Sequence, residues 1–318
     1  MRYPLINRFK GTLSGAFLGG ILAKDPEFQH HLCSDISKIA ILGAKSLIEL
    51  GKLDINNWLE RHQKQSLHLD VTDGVLPKAI IATLPVTLFF HENPTNLRQN
   101  LLHLSQLWDN DPVIRDAILA VGYAIAKSFI EKLDSQTLIP ETIAFIGETK
   151  TLTPQQLLKV NDLLDQGFGL ERAQTELSSQ EQPSNAIAMA FYCFLSTLEQ
   201  FSLAVLRSNQ KDNTSQGKTE NLHWPTISII TGALSGAYNS TAGIPVKWQV
   251  LLCPNNLATW KLTNFSQVLE LADALVAVWS GVYDLGLHLK KYPEEGCVKY
   301  KEQPQLCVFA SPRVIQSR

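Results

Sequence analysis

Apolar residues recur along most of this chain at the three-to-four spacing of a helix face, and alternation of the strand type is scarce. Ile36, Ile39, Ala40, Gly43, Leu47 and Ile48 keep to one face. Ser34 is placed to cap that helix and Gly51 to stop it. Asp111 before Pro112 reads as an N-cap followed by proline at the first helical position, opening a helix toward Lys132. Thr153 before Pro154 repeats the device, with an end near Gly167. Ser184–Leu206 is apolar nearly all round and predicts one central buried helix. Thr226–Tyr238 and Phe265–Leu289 predict two more, and Val298–Phe309 is the one stretch with a strand signal. The pattern predicts an all-α, multi-helix globule of roughly ten or more helices.

Two glycine stripes stand out from this pattern. Gly11, Gly15 and Gly19 fall every fourth residue, and so do Gly232 and Gly236. An interior glycine costs a helix up to about 1 kcal/mol relative to alanine. Stripes of them therefore predict a compensating close helix crossing or a close approach to a ligand. If the two stripes touch each other, His223–Thr226 comes near the end of the first helix.

Composition narrows the setting. The 318 residues suffice for one large domain or two at most. The formal net charge is −2, and no basic cluster carries interleaved aromatics, so neither nucleic acid nor an anionic membrane is an expected partner. The five cysteines are odd in number and widely spaced, which predicts reduced thiols in a cytoplasmic protein. Gly11–Ala23 follows two basic residues but is too glycine-rich for a secretory signal. Ala79–Phe90 is shorter than the ~20 residues of a spanning helix and contains Pro85, expected to interrupt it. Residues 208–221 are polar throughout and predict an exposed loop. Residues 1–291 are expected to form the domain, with 292–318 an irregular tail.

Five blocks in order resemble a known family. GTLSGAFLGGILAKDPEF is similar to the N-terminal motif of the ADP-ribosylglycohydrolases, the family of the enzyme that removes ADP-ribose from dinitrogenase reductase. CSDISKIAILGAKSLIELGKLD resembles its TDDT segment and following helix, and DNDPVIRDAILAVGYAIA its H-x-x-P segment. AIAMAFYCFLSTLEQFSLAVL resembles its long penultimate helix. ITGALSGAYNSTAGIPVKW resembles its GAxxGAxxGxxxIPxxW, the most specific block. The resemblance implies an all-α fold with two magnesium ions at its centre, held by TDDT and a late D-T-D-T.

The departures lie at the positions that carry the chemistry. Ser34, Asp35, Ile36 and Ser37 stand where the family has Thr, Asp, Asp and Thr. His223, Trp224, Pro225 and Thr226 replace Asp, Thr, Asp and Thr; Gly20 replaces the aspartate of GDALG; Trp108 or Asp109 stands near the family's histidine. Magnesium requires hard oxygen ligands, one or two carboxylates among them, and two adjacent ions need several anions. Of the four metal-binding aspartates only Asp35 remains, so no metal cofactor is expected.

The remaining candidates each have two readings. Glu27 and Asp35 are the candidate acids; otherwise Glu27 is a solvated loop residue and Asp35 suits a helix dipole. Ser34, Ser37, Asp109, His223, Trp224 and Thr226 are candidate ligand-binding residues. Ser37 and Thr226 have local backbone capping as the competing role. His223 with His30 and His31 has the chemistry for zinc, or is ordinary surface or core structure. Trp224 either fills the volume of the lost metals or stacks on an adenine. The function expected is that of a degenerate, non-catalytic member that binds ADP-ribose, a related nucleotide or a protein partner. An active hydrolase with an altered, metal-poor site is the alternative.

Overall fold

A computed structural model describes residues 3–23, 26–64, 74–178, 183–210, 222–252 and 265–281, with side chains described from residue 38 in the second helix and from residue 269 in the last. Within the described residues the chain is helical and contains no strand. The helices are α1 Leu5–Leu22, α2 Pro26–Leu50, α3 Ile55–Lys64, α4 Val75–Phe90, α5 Pro94–Ser105, α6 Pro112–Phe129, α7 Leu138–Ile146 and α8 Thr153–Asp165. They continue with α9 Leu170–Leu177, α10 Pro183–Leu195, α11 Phe201–Ser208, α12 Trp224–Asn239, α13 Val246–Gln249 and α14 Phe265–Ser280. This is the all-α architecture that the apolar period predicts.

The pair α1–α12 forms the centre, and the glycine stripes meet along it. A Cβ on Gly15 would lie 2.8 Å from the carbonyl carbon of Gly232, and one on Gly232 would lie 2.7 Å from that of Gly15. Gly11 faces Gly236 and Gly19 faces Ser228 in the same way. The pairing is antiparallel, so the C-terminal end of α1 lies beside the first turn of α12. α4 and α10 pack nearby and are almost wholly buried.

Local chemistry sets many of the ends. The Asp111 carboxylate accepts from the amides of Val113 (2.9 Å) and Ile114 (3.0 Å), the cap the sequence predicts. Asn93 does the same for α5 ahead of Pro94. Gly51 closes α2 with φ 61°, a left-handed conformation that glycine adopts without Cβ strain.

Several expectations are corrected. α2 begins at Pro26, so Ser34 sits inside the helix rather than capping it, and Asp35 is too far from the N-terminus to serve its dipole. Leu152 precedes α8; Thr153 is its first residue, and its hydroxyl meets that of Ser184 at 2.9 Å instead of capping. α4 runs through Pro85, whose cost of about 3 kcal/mol is borne by a helix buried almost from end to end. The long helix at Ser184–Leu206 is two helices. The turn between them is held by Thr197 Oγ1 donating to the Cys193 carbonyl (2.8 Å) and Asn239 Nδ2 donating to that of Leu198 (2.9 Å). Periodicity misses this break because both helices bury apolar faces against the same core. Ser208, expected to start the polar loop, is fully buried at the end of α11. Residues 211–221 and 282–318, which hold the rest of that loop, the tail and the Val298–Phe309 strand signal, lie outside the described residues.

Among the described residues no helix is long and apolar enough to cross a membrane. Cys193 is fully buried, and that burial pushes its thiol up to about 12, leaving it unreactive near neutral pH. The other four cysteines lie outside the described side chains.

Candidate functional site

The helix directions define the candidate site. α4 also runs antiparallel to α1, because the ring of Phe9 meets that of His91 just beyond the end of α4, and Leu13 shares an apolar crevice with Pro85. α6 has the same sense, since Phe129 stacks on Phe9 with centroids 4.9 Å apart. The beginnings of α4, α6 and α12 therefore lie toward the C-terminal end of α1. Helix N-termini carry partial positive charge and unsatisfied amide donors.

The first turn of α12 is built without an acid. His223 is its N-cap and is exposed; its Nδ1 accepts from the Thr226 amide at 3.3 Å and lies 2.6 Å from Thr226 Oγ1. An imidazole thus does the capping work usually done by Ser, Thr, Asp or Asn. Trp224 and Pro225 are buried and bring no oxygen ligand. Thr226 is buried at 1% exposure, with its hydroxyl engaged by His223. We expect His223→Ala to cost about 1 kcal/mol, the usual penalty for a lost cap, read as a lower urea midpoint at unchanged slope. An unaltered midpoint would mean that the imidazole contacts do not cap the helix.

One turn further on, Ser228 Oγ donates to the Ser208 carbonyl at 3.0 Å and lies 2.9 Å from Asn209 Oδ1. This latch ties the opening of α12 to the end of α11, where the polar segment begins. The sequence reading did not identify it, because nothing in the local pattern pairs Ser228 with Ser208.

Near the start of α6 the acids are already committed. Asp111 caps the helix. Asp116 is fully buried: Oδ1 accepts from Arg115 Nε (3.0 Å) and an Arg115 terminal nitrogen (2.9 Å), and Oδ2 accepts from Thr149 Oγ1 and Thr151 Oγ1, both at 2.6 Å. Four donors on two oxygens fill the carboxylate, leaving it unsuited to a metal. Lys78, in the first turn of α4, is 4% exposed, a buried cation that the sequence reading did not single out.

Asp109 stands apart from these groups. It is exposed and left-handed (φ 51°), ending a short 3-10 turn at Gln106–Trp108 that packs on α5 and α3. Asn110 follows with φ 56° and shares a hydrogen bond with Ser105 Oγ, 3.0 Å. Both residue types tolerate this backbone, which delivers the chain to the Asp111 cap. Trp108 beside it is buried. Glu27, Ser34, Asp35 and Ser37 fall on the N-terminal half of α2, and their side chains, with those of His30 and His31, lie outside the described residues. Among the described residues no three His, Cys, Asp or Glu side chains group as metal ligands.

Two magnesium ions do not suit the donors that α12 presents. His223 is a nitrogen donor engaged in capping, and Pro225 is buried with no side-chain ligand.

No individual curated protein matches the chain. A family model does: the one described as ADP-ribosylglycohydrolase matches residues 1–284, which takes in every helix above. With the glycine-lined α1–α12 pair at its centre, the chain belongs to the ADP-ribosylglycohydrolase family.

Proposed function

We propose that this chain keeps the family fold without two-magnesium hydrolysis and acts as a binding protein for ADP-ribose or a related nucleotide. The observation that carries this reading is the first turn of α12. Its polar groups serve each other, His223 with Thr226, and its other two residues are buried without oxygen donors. A pair of divalent cations there would meet an imidazole, an indole and a proline ring, with no anion in that turn to offset their mutual repulsion.

The same end of the molecule suits an anion. The beginnings of α4 and α12 point to it, and the nearby carboxylates Asp111 and Asp116 are occupied within the protein. Helix N-termini favour a pyrophosphate where the family's chemistry calls for cations. Trp224 is packed into the core, so it fills volume beside the site. Without paired metals the site lacks the Lewis acid and metal-activated water that the family's chemistry uses. The remaining acids for slow turnover are Glu27 and Asp35.

Thermal unfolding in magnesium tests the loss of the metal site. A ligand at 100 times its Kd stabilises the folded state by about 2.7 kcal/mol. We expect the melting temperature to stay unchanged between chelator and about 10 mM magnesium, a concentration that saturates a site of ordinary affinity. A rise of several degrees, abolished by Asp35→Asn, would overturn the reading.

A further inference from the structure

At the opposite end of the bundle from the α12 first turn, four aromatic rings from four parts of the chain enclose one another. His91, just past α4, lies edge-on to Phe9 of α1 at 5.6 Å and to Phe129 of α6 at 5.5 Å, and tilts against Trp279 of α14 at 5.1 Å. The imidazole is 3% exposed, and Nδ1 meets the Leu88 carbonyl at 3.0 Å. No charged side chain bonds to it among the described residues. The charges on the packed elements are matched elsewhere: Arg8 of α1 pairs with Glu131 beyond α6, Lys10 of α1 with Asp273 of α14 at 2.7 Å, and Lys127 of α6 with Glu141 at 2.7 Å. Glu92, next to His91, is exposed.

α14 is the element that this arrangement holds least firmly. It lies on the outside of α1, α2 and α4. From residue 271 onward only Ala272 and Leu275 are buried; the rest, Trp279 included, are partly or wholly open. Between α14 and the body runs a small apolar crevice lined by Leu13, Ala40, Ile41, Pro85, Leu271 and Leu275. Among the described residues the fastening is a thin apolar seam, the solvent-facing Lys10–Asp273 pair and the Trp279–His91 contact at its end. Elements with so little burial open locally before the core does.

We propose that α14 is a detachable strap whose docking depends on an uncharged His91: a proton on the imidazole releases α14 and bares the apolar face around Leu13, Ala40 and Pro85. A charged imidazolium inside this cage would be desolvated with no anion beside it. Opening α14 removes Trp279 and admits water to the ring, so the open form takes the proton more readily.

The direction and window follow from the imidazole itself. Burial lowers the docked His91 from 6.5 to about 4, with the Leu88 hydrogen bond opposing. Between those values the open form binds more protons. Docking is complete above 6.5 and weakens as the pH falls toward 4. If opening returns the imidazole fully to water, the opening constant rises roughly 30-fold between pH 7.5 and 5.

Hydrogen exchange of the full chain, followed by mass spectrometry and corrected for the intrinsic pH dependence, reads this directly. The expected result is a rise of tens of fold in opening for peptides of α14 between pH 7.5 and 5, with α10 peptides unaffected. In His91→Phe that rise is lost while the ring packing remains. If His91→Phe does not fold, Trp279→Ala serves: α14 then opens more at pH 7.5 and responds less to acid. An α14 response below about threefold, an equal response in His91→Phe, an unaltered response in Trp279→Ala, or parallel loss of protection in α10 would overturn the proposal.

Discussion

Gly15→Ala is expected to destabilise the protein by about 3 kcal/mol or more, although alanine is the better helix former by about 1 kcal/mol. The sign separates tertiary packing from propensity. On an open helix face this change stabilises. Here the new methyl would be directed at the backbone of α12, 2.8 Å from the Gly232 carbonyl carbon, and neither helix has a side chain that can rotate aside. The two axes must move apart, which loosens the contacts that α12 makes with α10, α11 and α6. Gly232→Ala, its reciprocal partner, should cost a similar amount. Because both changes force the same separation, the double variant should cost less than the sum of the two. Gly169→Ala is the control: nothing lies within 4 Å of its added Cβ and its φ is −77°, so stability should change by no more than about 1 kcal/mol, the chain-entropy gain being opposed by the poorer N-cap. Urea unfolding measures all four. A stabilising Gly15→Ala would mean that α1 and α12 are not in backbone contact.

Asp116→Ala is expected to cost about 3 kcal/mol, the range seen when one member of a buried charged network is removed. Its carboxylate binds the loop after α7 to the first turns of α6, through Thr149 and Thr151 on one oxygen and Arg115 on the other. Removing it leaves two hydroxyls without their acceptor and Arg115, 28% exposed, to find solvent. Asp116→Asn keeps the shape and removes the charge, so it should cost less, about 1–2 kcal/mol. Equal midpoints for the alanine and asparagine variants would mean that the charge contributes nothing to the network. Protection of residues 147–152 in hydrogen exchange locates the effect: it should fall in Asp116→Ala before that of α10.

The fold was legible in the sequence because its strongest signals are periodic. The apolar three-to-four spacing predicts helices, Asp111 and Gly51 mark an end each, and the glycine stripes predict a close helix crossing or a close approach to a ligand, of which the structure shows the crossing. Breaks and long-range bonds were not legible. The turn at residues 196–200 depends on Asn239 reaching the Leu198 carbonyl, forty-one residues away, and the burial of Asp116 on Thr149 and Thr151 thirty-three and thirty-five residues on. Nothing local distinguishes such a polar residue from a surface one. Ser34 shows the converse failure: a good capping residue lies inside a helix that starts at Pro26.

The candidate site was legible in part for a chemical reason. That no acid stands at His223–Thr226 is visible in the sequence; that His223 caps the helix and engages Thr226 is not. Nor does the sequence show that Lys78 is buried. Asp109 is at the position resembling the family's histidine segment, yet its exposed left-handed turn serves the start of α6.

Calorimetric titration of ADP-ribose into the full chain, with magnesium and with a chelator, tests most directly whether this family fold binds without its metals. The expected result is saturable binding with the same Kd in both buffers. Binding that requires magnesium, or is strengthened tenfold by it (about 1.4 kcal/mol), would contradict the loss of the metal site. No binding in either buffer would contradict the nucleotide-binding reading itself.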